Sequence, residues 1–139
     1  MCGIVGYIGY KKASDVIIKS LKRLEYRGYD SAGLSTIENN KLYTSKCKGK
    51  IRDLEKLSSI KKHNNTMGIG HTRWATHGEP NTNNAHPHHD SNKNFSLIHN
   101  GIIENHYSLK EYLINKGVKF ESDTDTEVLV QFIGYLYDR

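Results

Sequence analysis

The sequence lacks the features that mark secreted, membrane-spanning and disulfide-stapled proteins. Its 139 residues include only two cysteines, Cys2 and Cys47, which are too few for a disulfide framework. No apolar run approaches the ~20 residues that a membrane-spanning helix needs. The amino terminus has no basic segment followed by an apolar one, so no signal peptide is visible. These absences predict a cytoplasmic location and no membrane partner.

The sequence also lacks a compact block of basic residues. Its net charge is +5, so nucleic-acid binding has to be considered. The lysines and arginines, however, are interspersed with apolar positions of the predicted helices and hairpins, as on solvated faces. We therefore expect no nucleic-acid partner. What the chain does have is a hydrophobic fraction of 36% and enough length for one domain with a core.

Hydrophobic periodicity predicts an α+β fold with antiparallel strands. The predicted strands are residues 4–8 (a buried strand), 32–37, 42–48, 67–72, 94–99 and 118–120. The predicted helices are one that Ser14 and Asp15 cap and Gly28 stops, 50–57, 105–116, and a last helix that Ser122-Asp123-Thr124 caps and that runs through Leu136. Asn39-Asn40 predicts a tight hairpin turn. The long polar connection 76–93 is typical of a functional loop.

Cys2 is the first candidate for chemistry. Because its side chain is small, Met1 is expected to be removed, which leaves a thiol and a free α-amino group on one residue. α-Amino groups have a pKa of about 7.7–8.0, so such a residue can carry its own proton acceptor, as N-terminal nucleophiles do. An ordinary unreactive cysteine at the start of a strand explains the same stretch equally well.

Three further stretches carry polar groups at the ends of predicted elements. Arg73 offers a planar fork for a carboxylate, next to the aromatic wall of Trp74. Asn100-Gly101 by default indicates a tight turn, although an Asn amide and a neighbouring N–H can also form an oxyanion hole. The segment 121–127 holds more carboxylates than helix capping requires, so one of them could bind a substrate ammonium.

The histidines suggest a competing interpretation. Seven of the eight lie between residues 71 and 106. Neutral imidazoles and carboxylates are good zinc ligands, so a metal site is an open alternative. The spacing, however, matches no closed zinc motif.

Taken together, these stretches resemble a known family. The resemblance rests on residues 2–6, 26–33, 71–78, 84–88, 99–106 and 122–127, in this order. They resemble the glutaminase domain of the glutamine–fructose-6-phosphate aminotransferases, which are class II glutamine amidotransferases. Asparagine synthetases and amidophosphoribosyltransferases share the Cys-Gly start but not the block that begins at His71.

The resemblance implies a fold and a set of roles. The fold would be a four-layer αββα N-terminal-nucleophile hydrolase sandwich of two antiparallel sheets, here incomplete at the C-terminus. Cys2 would attack the amide of glutamine, and Asn100 with the Gly101 N–H would hold the oxyanion. Arg73 would bind the α-carboxylate of glutamine and Asp125 its α-ammonium. The remaining implied substrate-binding residues are Trp74, Thr76, His77, Arg27 and His86. No metal or organic cofactor is needed.

The family's glutaminase domain is longer than this chain. We therefore expect residues 1–139 to be the N-terminal portion of a type 2 amidotransferase domain from a longer synthase. The sugar-isomerase domains, absent from this chain, would act in cis or in trans and use the ammonia to convert fructose 6-phosphate to glucosamine 6-phosphate. The full-length protein is expected to be a homo-oligomer. The alternative is a catalytically silent fragment, or a regulatory or interaction module that lacks its isomerase partner.

Overall fold

The computed structural model of the chain describes residues 2–59, 64–74 and 78–139. The strands are β1 (Gly3–Ile8), β2 (Ser31–Glu38), β3 (Lys41–Lys48), β4 (Met67–Arg73), β5 (His88–His89) and β6 (Ser96–Leu97). The helices are α1 (Ala13–Leu24), α2 (Ile51–Ser59), α3 (His106–Asn115) and α4 (Asp125–Tyr137), with a 3₁₀-helix at Glu25–Arg27 directly after α1.

The elements stack in four layers. β1, β4, β2 and β3 form an antiparallel sheet in that order, and α1 and α2 pack on one of its faces. On the other side lies the antiparallel pair β5–β6, against which α4 packs, and α3 packs against α4. The predicted α+β class with antiparallel strands is confirmed. In the described residues the second sheet consists of two strands of two residues each.

The core between the first sheet and its helices follows from the apolar periodicity. Ile17 and Leu21 of α1 and Ile51 and Leu54 of α2 are three or four residues apart, so each pair lies on one helix face, and all four are buried. They pack against Leu34 and Ala32 of β2 in one cluster. Burying an aliphatic side chain of this size contributes roughly 1.5–3 kcal/mol, so this cluster is what holds the sheet on its helices.

Gly33 lets the segment before β5 approach the first sheet closely. A Cβ atom at this position of β2 would overlap the carbonyl oxygen of His86. Every other residue type would therefore push the segment before β5 away from the sheet. This close approach brings His86 next to the residues of β4 that point away from the helices.

The hairpin and most helices are where the periodicity predicts them. Asn39 and Asn40 have φ angles of 53° and 62° and connect β2 to β3. A tight turn with two positive φ angles matches the twist of the paired strands, which explains why asparagine is used there. The predictions for α2, α3 and α4 are confirmed within a few residues at each end.

The prediction of a buried first strand is wrong. β1 is at the edge of its sheet, and its side chains alternate between the helix face and the opposite face. Val5 and Tyr7 pack on the helical core, whereas Ile4 and Ile8 are 46% and 80% exposed. A run of apolar residues did not reveal that only one face of this strand is covered by the described residues.

The predicted cap of α1 is wrong, and that of α4 is confirmed for one of its three residues. Ser14 and Asp15 lie inside α1, and Asn65 from the segment before β4 provides the acceptors instead. Its backbone oxygen accepts from Ala13 N at 2.8 Å and its side-chain oxygen from Ser14 N at 2.9 Å. In α4 the cap is Thr124 of the predicted segment, whose hydroxyl accepts from Glu127 N, whereas Asp123 of that segment is not the cap residue. The first cap comes from far along the chain, so local sequence could not indicate it.

Two predicted strands and one predicted loop differ from the structure. Residues 94–99 contain only the two-residue strand β6, and residues 118–120 form no strand. The connection 76–93, predicted as a loop throughout, contains β5 in its described part. Short strands of this kind have too few residues for alternation to be recognised.

Candidate active site

Cys2 is held at the end of the first sheet by β4 and by Trp74, the residue that follows β4. The antiparallel register pairs Gly3 with Thr72, and Gly3 N donates to the buried Thr72 hydroxyl at 3.0 Å. The Cys2 sulfur then lies against the backbone of Trp74. Trp74 N donates to the sulfur at 3.3 Å, and the sulfur is 3.6 Å from the Trp74 carbonyl oxygen. The thiol is thus fixed in position although it belongs to the second residue of the chain.

Asn100 approaches the same residue from the segment after β6. Its side-chain nitrogen donates to the carbonyl oxygen of Cys2 at 3.0 Å, and its side-chain oxygen lies 2.8 Å from Nε2 of His71. The chain bends at Gly101, whose φ of 137° is a value that residues with a Cβ rarely adopt. By default the Asn-Gly pair indicates only a tight turn. The chain does bend there, but the bend also brings a side-chain amide to Cys2.

A cation and an anion flank the thiol. Arg73 at the end of β4 is 3% exposed, and its guanidinium donates to the carbonyl oxygens of Glu79 at 3.1 Å and Gly78 at 3.4 Å. Burial lowers the pKa of Arg73, but a guanidinium stays protonated at neutral pH. Asp125 in the first turn of α4 accepts from Ile103 N at 2.7 Å. Two side chains of opposite charge, 52 positions apart in the sequence, thus lie at one site.

These side chains surround a cavity of about 360 Å³, which is within the usual range of small-molecule sites. It is lined by Cys2, Arg27, Arg73, Trp74, His86, His99, Asn100, Gly101, Ile102, Thr124, Asp125 and Thr126. Every sequence-predicted site residue that the structure describes is in this set. Thr76 and His77, which the sequence also predicts, lie outside the described residues.

Sequence reasoning missed part of the lining. His99, Ile102, Thr124 and Thr126 were not singled out for the site, and His99 Nδ1 lies 3.3 Å from the Thr126 hydroxyl. His71 was also missed, although its position carried a signal. His71 and Arg73 are two residues apart on β4, so both side chains point to the same face of the sheet.

Three of the histidines form a packed row next to the cavity. The rings of His71 and His86 stack with centroids 4.1 Å apart, and the ring of His88 meets that of His86 edge-on at 4.7 Å. Burial lowers the pKa of all three, to about 4 for His71 and about 2 for His88. Within the described ranges, no group of three or more His, Cys, Asp or Glu side chains is placed to hold a metal ion. In the described residues these three rings therefore pack against one another.

None of the helices in the described residues combines the length and the apolar character that crossing a bilayer requires.

Comparison with known proteins decides the family. Residues 58–136, more than half of the chain, match the family described as glutamine amidotransferase domain.

The chain belongs to this glutamine amidotransferase family.

Its curated relatives include glutamine–fructose-6-phosphate aminotransferases (isomerizing). Those of Bacteroides thetaiotaomicron, Aquifex aeolicus and Clostridium tetani are 60%, 56% and 53% identical over 137 residues each. The alignments cover 98% or 99% of the chain but 22% or 23% of each relative. The predicted resemblance is confirmed, and this amidotransferase chain spans about a fifth of the length of these relatives.

Solved structures with the same fold include an amidotransferase. The glutamine phosphoribosylpyrophosphate amidotransferase of B. subtilis, in complex with ADP and GMP, matches with a TM-score of 0.80 and 31% identity over 96% of this chain and 29% of its own. A structure described as the allosteric regulatory enzyme of purine biosynthesis has a TM-score of 0.80 and 30% identity over 100% of this chain and 30% of its own. The predicted N-terminal-nucleophile hydrolase fold is confirmed.

Proposed function

We propose that this chain hydrolyses the side-chain amide of glutamine with Cys2 as the nucleophile. The observation that carries the proposal is the convergence of the Cys2 thiol, the Asn100 amide, the Arg73 guanidinium and the Asp125 carboxylate on one cavity. Each group suits one part of the substrate or of the reaction. Membership of the glutamine amidotransferase family supports the choice of glutamine.

The reaction needs two acyl transfers. The γ-glutamyl group passes first from the amide nitrogen to the Cys2 sulfur and then from the sulfur to water. Once Met1 is removed, the α-amino group of Cys2 accepts the thiol proton while the sulfur attacks the amide carbon of glutamine. The tetrahedral intermediate collapses when the same proton is passed to the leaving nitrogen, which departs as ammonia. Water then attacks the γ-glutamyl thioester, the α-amino group again shuttles the proton, and glutamate and the free thiol are released.

The oxyanion of each tetrahedral intermediate needs hydrogen-bond donors. The Asn100 side-chain nitrogen is 3.0 Å from the Cys2 carbonyl oxygen, close to the thiol, and the Gly101 N–H is adjacent in the chain. Asn100→Ala is expected to lower kcat for glutamate release by roughly 10²–10³, because one donor is lost where charge develops in the transition state. KM should change much less. Steady-state glutamate release from glutamine measures both.

Asn115→Ala is the matched control, since Asn115 is exposed at the end of α3. It should leave both constants unchanged. An Asn100→Ala protein that keeps more than half of the parent's kcat would contradict the oxyanion role.

Arg73 and Asp125 suit the zwitterionic end of an amino acid, which needs one cation and one anion. Arg73→Lys keeps the charge but loses the planar fork that grips a carboxylate with two parallel bonds. Losing about 1.5–3 kcal/mol of charge-assisted hydrogen bonding is expected to raise KM for glutamine about 10- to 150-fold, with a smaller change in kcat. Competition assays with glutamine and with glutamine α-amide, which lacks the carboxylate, measure the effect.

The α-amide substrate makes this test specific. It should be used poorly by the parent protein, and Arg73→Lys should worsen its KM by no more than about threefold. Arg52→Lys on the exposed face of α2 is the control and should behave as the parent. Equal losses for both substrates would mean that Arg73 only supports the fold through its bonds to the carbonyl oxygens of residues 78 and 79.

The use of the ammonia is proposed from the relatives. They are named glutamine–fructose-6-phosphate aminotransferases and are more than four times as long as this chain. We propose that residues 1–139 act as the glutaminase part of such a synthase in the cytoplasm. Sugar-isomerase domains, in cis or in trans, would bind fructose 6-phosphate and convert it to glucosamine 6-phosphate with this ammonia. The full-length protein is proposed to assemble as a homo-oligomer.

The rival hypothesis is a silent module that keeps the fold without the chemistry. An electrophilic glutamine analogue that alkylates a thiol separates the two. The proposed function predicts one covalent adduct, located at Cys2 by peptide mass spectrometry and suppressed by excess glutamine. The absence of an adduct, together with no glutamate release, would favour the silent module.

A further inference from the structure

His71 lies behind the cavity, in contact with Asn100 of its lining, but has no role in the chemistry above. It is fully buried on β4, where the sheet register places it between Ile4 of β1 and Gly33 of β2. Its Nε2 atom is 2.8 Å from the side-chain oxygen of Asn100. A buried histidine that touches a proposed oxyanion donor is a candidate for orienting it.

The hydrogen bonds of Asn100 define the tautomer of the His71 ring. The Asn100 nitrogen donates to the Cys2 carbonyl oxygen, so the Asn100 oxygen must be the atom that faces His71. An oxygen only accepts, and Nε2 therefore carries the proton. Nδ1 is buried without a hydrogen-bond partner, so a proton there would leave a buried donor unsatisfied. The ring is thus neutral and protonated at Nε2.

The ring is also prevented from moving. His86 stacks on it with the two ring planes 21° apart, and His88 meets His86 edge-on. His88 is anchored in turn, because its Nε2 lies 2.9 Å from the hydroxyl of Thr124, the cap of α4. Burial lowers the pKa of His71 to about 4, which keeps its ring uncharged at neutral pH. A rigid, neutral donor therefore faces the oxygen of Asn100.

We propose that His71 is a positioning residue that fixes which end of the Asn100 amide points at Cys2. This inference rests on the proposed role of Asn100 as an oxyanion donor. The nitrogen and oxygen of an Asn amide are related by a half-turn of the last torsion angle. Without the His71 N–H, only the bond to the Cys2 carbonyl oxygen favours this orientation, so the flipped one, which would present an oxygen to a developing negative charge, becomes more populated.

Variants of His71 separate positioning from folding. His71→Leu removes the donor at similar size and should lower kcat for glutamine about 10- to 100-fold, with KM within about threefold of the parent. His71→Gln carries an amide nitrogen that can reach the place of Nε2, so it should recover most of the lost kcat. Equal losses in the two variants, or a His71→Leu protein within twofold of the parent, would overturn the proposal.

Three measurements test whether His71 acts through Asn100. In an Asn100→Ala background, His71→Leu should have no further effect on kcat, because the group it positions is already gone; a multiplicative loss would overturn the proposal. An aldehyde analogue of glutamine, which forms a tetrahedral adduct with the thiol, should bind His71→Leu more weakly by the same factor as kcat falls. Alkylation of Cys2 by iodoacetamide, which creates no oxyanion, should proceed at the parent's rate.

A spectroscopic measurement on the unmodified sequence needs no variant. Nitrogen-15 NMR of the histidine rings should show a protonated Nε2 and an unprotonated Nδ1 for His71 between pH 6 and 8. A proton on Nδ1 would overturn the proposal even if every variant failed to fold. If the parent releases no glutamate while His71 has the expected tautomer, the proposed function fails and the orientation of Asn100 stands.

Discussion

Cys2→Ala is expected to lower glutamate release from glutamine by on the order of 10⁴–10⁶, the largest effect of any single substitution in this chain. Removing the nucleophile of a covalent mechanism abolishes the thioester pathway and leaves only what binding and the oxyanion donors contribute. The substitution removes one sulfur atom from a half-buried position, so the fold should be unaffected. Coupled detection of glutamate, with the thermal unfolding midpoint measured in parallel, tests this.

Cys47→Ala is the matched control, because Cys47 is the other cysteine in the sequence. It lies half-buried on β3, packs against the helical core, and burial raises the pKa of its thiol to about 11. A thiol with so high a pKa is a poor nucleophile at neutral pH. Cys47→Ala should keep the parent's kcat within about twofold. Comparable activity of the Cys2→Ala protein and the Cys47→Ala protein would contradict the proposed mechanism.

Much of the fold could be predicted because it depends on local pattern. The Asn39-Asn40 turn and the helices α2, α3 and α4 are encoded by positive-φ residues and by apolar spacing within one element. The errors concern features that depend on distant neighbours. Asn65 caps a helix that begins 52 residues earlier, and the two-residue strands β5 and β6 exist only because they pair with each other.

The site was predicted in a different way. Position at the ends of predicted strands marked Cys2, Arg73 and Asn100 as candidates, but their roles came from the resemblance to a family. The structure adds that these residues converge on one cavity. Alternation along β4 places His71 on the same face as Arg73, but its contact with Asn100 across 29 positions could not be predicted. Residue type and spacing carry no information on such a contact.

A short uncleavable extension ahead of Cys2 is expected to lower glutamate release by at least about 10²–10⁴. The extension converts the α-amino group into an amide, whose nitrogen has no lone pair available to accept the thiol proton. General acid–base catalysis by a positioned group contributes rate factors of this size. The thiol itself is unchanged, so iodoacetamide should still alkylate Cys2. Glutamate release and alkylation, measured on the same preparation, separate the loss of the base from the loss of the nucleophile.

The matched control carries the same extension followed by a protease site whose cleavage leaves Cys2 as the first residue. Cleavage should restore the parent's rate, and a second control with the extension after Arg139 should never lose it. Normal turnover by the uncleaved N-terminal extension would show that another group takes the thiol proton. In that case the Cys2 thiol could remain the nucleophile, but removal of Met1 would no longer be required, and the base would have to be sought among the other residues that line the cavity.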